Sequence, residues 1–316
     1  MKYIRRFFAA FIFIGTLIAI GTIFYLWNYQ PEPERSADQE TEKRAISGEL
    51  RHKAFDKNKQ HAVSHGKKRL PNQRRKIAII IDDIGEDLKP LSALLDMDVP
   101  LTFAILPYCT HSENAADMIY KAGREILLHL PMEPYDNPGK NPGRGALFVH
   151  MSAKEIRNQL DENMRAVPHI CGVNNHMGSR FMEDGEKLTV VFEELKKRGL
   201  FFVDSRTTPA SKAKELAVKM NIPFAERKAF IDNDNHYPII FEKIMEILNN
   251  PPMGNGENIV LIGHPYPDTV RALRKAVPLM RKEGDEIITL TKLIQLNNRM
   301  ISKQLNERND ELYEIP

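Results

Sequence analysis

Lys76–Gly85 reads KIAIIIDDIG, an unbroken apolar run that ends in two adjacent carboxylates. Ile77 to Ile81 predicts a short strand covered on both faces, because β-branched side chains suit a sheet buried between two layers. Asp82 and Asp83 then stand where that strand must emerge. The first expectation is therefore a fold of buried parallel strands with polar groups at their carboxyl ends.

Downstream, short apolar runs alternate with amphipathic stretches. IAIII is followed by DLKPLSALLDM, VPLTFAIL by SENAADMIYKAG, and REILLHL by a Pro/Gly/Asn loop and then SAKEIRNQLDENMRAV. Ser112 is the expected N-cap of the second helix and Gly123 its stop. Ser152 and Glu155 have the spacing of a capping box. CGVNNHMGS, LFFVDSR, IPFAERKAFID and NIVLIGHP each precede another helical stretch, and DEIITLT closes the series near Leu290. This alternation predicts an α/β fold with a parallel sheet. Seven or eight units suit a closed or nearly closed barrel. A doubly wound open sheet is the rival, and it loses support because no GxGxxG follows the first strand.

The polar residue that ends each apolar run marks where chemistry would sit. These residues are Asp82 and Asp83, His129 in EILLH, His176 in GVNNH, Asp204 in LFFVD, Asp232 in KAFID and His264 in IVLIGH. Catalytic groups of parallel α/β barrels lie at the carboxyl ends of strands, so these side chains are expected on one rim. Each has a plainer reading. A lone Asp after a strand is often the N-cap of the next helix, as Asp204 and Asp232 would be, and a lone His is more often a hydrogen-bonded structural residue. Jointly, an Asp and two His at three strand ends make a donor set for a divalent ion with positions open for water. The second aspartate is then free as a base.

The chain has 316 residues and a net charge of +3, too even to argue for a nucleic-acid partner. Phe7 to Trp27 is uncharged and apolar, and about 20 such residues cross a bilayer as a helix. Lys2, Arg5 and Arg6 precede it and would stay in the cytoplasm, so residues 1–29 are expected to be a single-pass inner-membrane anchor with the rest in the periplasm or outside the cell. A cleaved signal peptide is the rival; the run is long for one and no A-x-A-like site precedes Gln30. Residues 30–75 are polar and charged, the composition of a disordered linker. The folded domain is expected over 76–295, and 296–316 as a charged terminal helix or tail. Cys109 and Cys171 are either a disulfide or two buried thiols.

On these residues, Lys76 to Leu293 resembles the polysaccharide deacetylases, carbohydrate esterases of the NodB type, and in particular their divergent branch in bacterial envelopes. IIIDDIG is similar to the family's Thr-Phe-Asp-Asp motif, which implies Asp82 as catalytic base and Asp83 as metal ligand. GREILLHLPMEP is similar to Gly-His-Glu-Ile-x-x-His-x-x-x-His-Pro and implies His129 as a metal ligand. NIVLIGHPYPDTVRAL resembles the Leu-x-Leu-His motif and implies His264 as catalytic acid. The resemblance further implies an irregular (β/α)7-8 barrel, Zn²⁺ or another divalent cofactor, and removal of acetyl groups from an envelope polysaccharide or peptidoglycan-type glycan.

The chain also departs from those motifs. Glu133 stands where the second metal histidine is expected, NNHMGSRF occupies roughly the Arg-x-Pro-Tyr region, and VDSRTTP replaces the Asp-Trp pairing. We therefore expect His176 to supply the missing imidazole, giving Asp83, His129 and His176 as the metal set. Residues four apart on a straight strand lie about 13 Å from each other, but Pro131 and Pro134 allow a turn between His129 and Glu133, so geometry leaves Glu133 open as a ligand. The choice of His176 rests on imidazole being a common zinc ligand where Asp83 already supplies an anionic oxygen. Glu133 is instead expected to orient a ligand or contact substrate, with Asp204 also near the site. Arg180 and Arg206 are expected to steady the base or a developing oxyanion. Asn174 and Asn175 would orient sugar hydroxyls or merely satisfy loop backbone. Tyr108, Tyr135 and Tyr266 would meet a sugar face or pack at the surface. Two other functions stay open: a catalytically degenerate glycan- or protein-binding module, and a metal-dependent hydrolase of another amide or ester.

Overall fold

The structure, a computed structural model, describes residues 74–135, 139–249 and 258–298. Strands and helices alternate: β1 (Lys76–Ile84), α1 (Leu88–Leu95), β2 (Thr102–Ile105), α2 (Ser112–Lys121), β3 (Glu125–Met132), α3 (Ala153–Ala166), β4 (Gly172–Met177), a 3-10 turn (Phe181–Glu183), α4 (Gly185–Lys197), β5 (Phe201–Asp204), α5 (Ala213–Met220), β6 (Phe224–Phe230), α6 (Tyr237–Asn249), β7 (Asn258–Gly263), α7 (Pro267–Glu283) and β8 (Glu286–Ile287). Residues 290–298 form a last helix, α8. All pairings are parallel. β1 pairs with β7 on one edge and with β2 on the other, so seven strands close into a barrel rather than an open sheet. The two-residue β8 fills the lower half of the β1 edge at Lys76 and Ile77.

Strand alternation sorts the opening stretch. Ile77, Ile79 and Ile81 pack outward among the helices, while Ala78 and Ile80 point into the barrel. Each of these isoleucines is fully buried, which stabilises by about 1.5–3 kcal/mol per side chain. The interior is small-bore, with Ala78, Ala104 and Ala225 between Ile80, Leu127, Val203, Val260 and Ile262. Its floor is closed by Ile288 and by Leu290, Leu293 and Ile294 of α8. Glu125 fixes that plug, because its carboxylate accepts from the Leu290 N–H at 2.8 Å and the Thr291 N–H at 3.2 Å. An anion at a helix N-terminus is favourable on both hydrogen-bonding and dipole grounds.

Residues just outside the expected bounds of 76–295 also pack into the fold. Arg75, placed in the linker, is 2% exposed; its guanidinium donates to the carbonyls of Ile247 and Leu248 at the end of α6 and pairs with Asp285 at 3.5 Å. Leu296, placed in the tail, packs against the barrel interior. Ser152 and Glu155 form the expected capping box, and Gly123 ends α2 with φ +65°. Ser112 is not a cap: His111 holds that position, and the Ser112 hydroxyl donates to the Leu106 carbonyl at 2.6 Å. Cys109 and Cys171 are free thiols, both pushed up to about 12 by burial, so they form no disulfide with each other. Among the described residues no helix is long and apolar enough to cross a membrane. The anchor expected at 1–29, the linker as far as residue 73 and the tail beyond 298 lie outside the described residues.

Candidate metal centre

The paired acids reach one site through a fault in β1. Asp82 follows Ala78 and Ile80 inward. Asp83 would then face the helices, but the register against β2 slips between Ile81 and Ile84 and Asp83 takes φ +56°. The bulge turns it back over the barrel mouth. A left-handed, non-glycine residue costs about 1–3 kcal/mol, which is characteristic of a site that needs the geometry. On β3, His129 shares the inward face with Leu127, and on β4 Asn174 and His176 alternate with the outward Val173.

Three ligand atoms converge there. Asp83 Oδ1 lies 3.1 Å from His129 Nε2 and 3.1 Å from His176 Nδ1, and the two nitrogens are 3.1 Å apart. A zinc ion bound at about 2.0–2.1 Å holds tetrahedral ligands about 3.3 Å apart, so this triangle is close to one face of such a site. Asp83 Oδ1 is buried without a well-formed hydrogen bond. Burial would raise Asp83, but hydrogen bonds and charge from His129 and His176 outweigh it and hold the carboxyl well below the usual range. Burial likewise lowers His129, while Asp82 and Asp83 more than offset it and raise the imidazole. The pocket thus favours a cation. The residues fit a divalent ion.

Asp82 sits beside this triangle, 2% exposed, with Oδ2 3.7 Å from His129 Nε2. Its Oδ1 accepts from Asn174 Nδ2 at 2.8 Å. Burial raises its pKa, partly offset by His129 and His264. Asn174 has no exposed surface; its Nδ2 also reaches Ser205 Oγ at 3.3 Å and its Oδ1 faces His129 Nδ1 at 2.9 Å. With the amide so oriented, His129 donates from Nδ1 and presents the Nε2 lone pair to the triangle. Asn174 is thus engaged by the side chains of His129, Asp82 and Ser205.

His264 lies opposite. Its Nδ1 is 2.9 Å from Asp232 Oδ1, its backbone N–H donates to Asp232 Oδ2 at 2.6 Å, and its Nε2 is 3.8 Å from Asp83 Oδ2. Thr269 Oγ1 donates to Asp232 Oδ2 at 2.8 Å. Asp232 is thus the partner of His264, a role that its position at a strand end did not distinguish from a helix cap. Burial lowers the His264 pKa, but the Asp232 hydrogen bond and charge, with Asp82 and Asp83, raise it to about 9. Phe230 and Tyr266 stack on the imidazole at 5.7 and 5.5 Å.

These groups line a cleft of about 430 Å³, with Lys140, Asn175, Ser205 and Arg206 on its walls. Asn175 lines the cleft and satisfies backbone groups there: it accepts from the Ser205 N–H and donates to the Met177 carbonyl, each at 2.8 Å. Other expected residues fall outside. Glu133 touches neither histidine; it accepts from Arg180 Nη1 at 2.7 Å and the Val149 N–H at 2.6 Å, clamping two loops. Arg180 pairs with Glu133 and is not among the residues lining the cleft. Asp204 is buried below the cleft and accepts from the Arg206 N–H at 2.7 Å. Tyr108 lies under the Arg144 guanidinium, 4.4 Å from its ring centroid, and Tyr135 is bonded to Glu183. Lys140 carried no signal in a loop of Pro, Gly and Asn, and sequence reasoning missed it.

Fold and rim define a closed parallel α/β barrel with an acid–imidazole centre at the carboxyl ends of its strands. Residues 79–294 match the divergent polysaccharide deacetylases, and the chain belongs to that family. Escherichia coli K12 YibQ is 32% identical over 227 residues, 71% of this chain and 67% of that protein. A Haemophilus influenzae Rd protein is 30% identical over 199 residues, 63% of this chain and 70% of that one. The crystal structure of ATU2773 from Agrobacterium tumefaciens C58 has the same fold, with TM-score 0.63 at 22% identity over 72% of this chain and 93% of that one.

Proposed function

We propose that the protein is a metal-dependent hydrolase that removes acetyl groups from an envelope glycan. The observation that carries this reading is the triangle of Asp83, His129 and His176 with a second, buried carboxylate beside it. A module that only binds has no use for that extra base. Asp83, His129 and His176 would hold Zn²⁺ or a similar ion, which when bound polarises the acetyl carbonyl and acidifies a water. Asp82 takes the proton from the attacking water, and its raised pKa suits a base. His264, kept charged by Asp232, gives a proton to the leaving amine or alkoxide. The barrel works outside the cytoplasm, held at the inner membrane by residues 1–29, and the basic residues before the apolar run support that orientation.

Metal analysis with acetate-release assays on chitin oligosaccharides and peptidoglycan tests this. Asp82→Asn is expected to keep the metal and lose turnover, and Asp83→Asn to lose the metal. Equal metal loss in both variants would mean the two roles are wrongly divided. A metal-loaded wild type that releases acetate from no glycan leaves the degenerate binding module as the better account.

A further inference from the structure

We infer that the substrate of this cleft is an anionic glycan, carrying a carboxylate or phosphate near the acetylated sugar. This rests on reading the cleft as a glycan site and names the class of glycan. Charge at the centre would be internally met: Asp82 and Asp83 would oppose a bound dication, and Asp232 pairs with His264 at 2.9 Å. The rim is not met in the same way. Lys140 lines the cleft, is exposed and meets no carboxylate among the described residues. Arg206 lines the cleft from the loop after β5, and its Nη1 is 3.2 Å from Glu226 Oε1, while Lys214 Nζ is 2.8 Å from Glu226 Oε2. One carboxylate thus serves two cations, and Lys140 adds a third. Asp204, two residues from Arg206, divides its charge between Arg206 and Arg227, and the acids beside the Lys140 loop face elsewhere. Glu133 is held by Arg180, and Glu183 accepts from Tyr135 and Thr208.

Cations at a cleft mouth are commonly just solvated, so the second observation matters more. Arg206 has φ +53°, a conformation a long side chain rarely adopts. Two charged residues hold it there. Asp204 Oδ1 accepts its N–H at 2.7 Å, and Arg227 Nη2 donates to its carbonyl at 3.0 Å while Arg227 Nε donates to the Ser205 carbonyl at 2.6 Å. Asp204 itself is buried, with Ser211 beside its carboxylate and no well-formed hydrogen bond at Oδ2. Strain of this kind persists only where the surroundings enforce it. Here it sets Arg206 on the wall of the cleft. A planar guanidinium and an ammonium on the loops that flank β4 suit an oxyanion.

The test reads binding, not turnover. The metal-loaded full chain with Asp82→Asn is titrated by calorimetry with three tetrasaccharides. One bears lactyl-ether carboxylates, one is the same sugar with those carboxyls reduced to alcohols, and one is a 6-phosphorylated chitotetraose. The carboxylated or the phosphorylated sugar is expected to bind about tenfold tighter than the reduced one, as two partly exposed charge-assisted contacts give. Whichever is preferred identifies the anion. The preference should shrink with added salt and fall to about one in Lys140→Gln/Arg206→Gln. Equal affinities for all three, no measurable binding of either anionic sugar, or a preference that survives the double substitution overturns the inference. Absence of acetate release in wild type, with the binding preference intact, refutes the deacetylase reading alone.

Discussion

Asn174→Ala separates an orienting role from a merely structural one. The side chain has no exposed surface, so no water replaces what is removed. Three contacts go: the 2.8 Å bond to Asp82, the 2.9 Å contact with His129 Nδ1 and the 3.3 Å contact with Ser205. A hydrogen bond to a charged group contributes about 1.5–3 kcal/mol, and an orphaned buried donor costs about 1–3 kcal/mol. Stability should therefore fall by about 2–4 kcal/mol in denaturant unfolding, these terms not being additive. Metal affinity should fall about 10- to 100-fold, because His129 loses the partner that selects its tautomer. Asn174→Asp distinguishes the two roles. A carboxylate in that place still accepts from His129 Nδ1, so calorimetric metal affinity should recover to within about threefold of wild type. Turnover should not recover, since Asp82 loses its donor and gains a like charge; a drop of about 100-fold or more is expected. If Asn174→Ala binds metal as tightly as wild type, or Asn174→Asp binds no better than the alanine variant, the amide does not set the ligand geometry.

Three further outcomes are expected. His176→Ala should lose nearly all bound metal, whereas Glu133→Gln should keep it within about threefold, well short of the loss from removing a true ligand partner; the reverse in metal analysis would make Glu133 the third ligand. His264 titrates near 9 in the fold, against about 6.5 for a free imidazole. It should therefore stay an acid to about pH 9, and Asp232→Asn should move the alkaline limb of kcat/KM downward; an unmoved limb would assign it to another group. A dication on Asp83 weakens the Asp83 share of that shift and leaves the Asp232 share. The same raised pKa means its contribution to stability is complete below about pH 6.5 and is lost as pH rises toward 9, which urea unfolding of wild type and Asp232→Asn across that range would check.

What was legible in the chain followed period and position. Isoleucines at Ile77, Ile79 and Ile81 and the recurring strand–helix spacing carried the barrel, and an acid or imidazole at successive strand ends marked its rim. The parts that escaped were those decided by a partner far along the chain or by one backbone angle. Asp204 and Asp232 look alike, each a lone acid closing an apolar run. They part only because the His264 imidazole lies 2.9 Å from one, while the other turns down to hold the Arg206 N–H. Glu133 sits at a ligand's place in its motif, yet Arg180 and Val149 reach it first. Asp82 and Asp83 are the sharpest case. Period-two alternation forbids neighbours from sharing a face, and the bulge that lets them do so has no residue-type signature here, since Asp rather than Gly takes the left-handed angle. The paired acids themselves were the signal: two adjacent carboxylates at a buried strand's mouth are costly unless both face something positive. Only a break in the strand can arrange that.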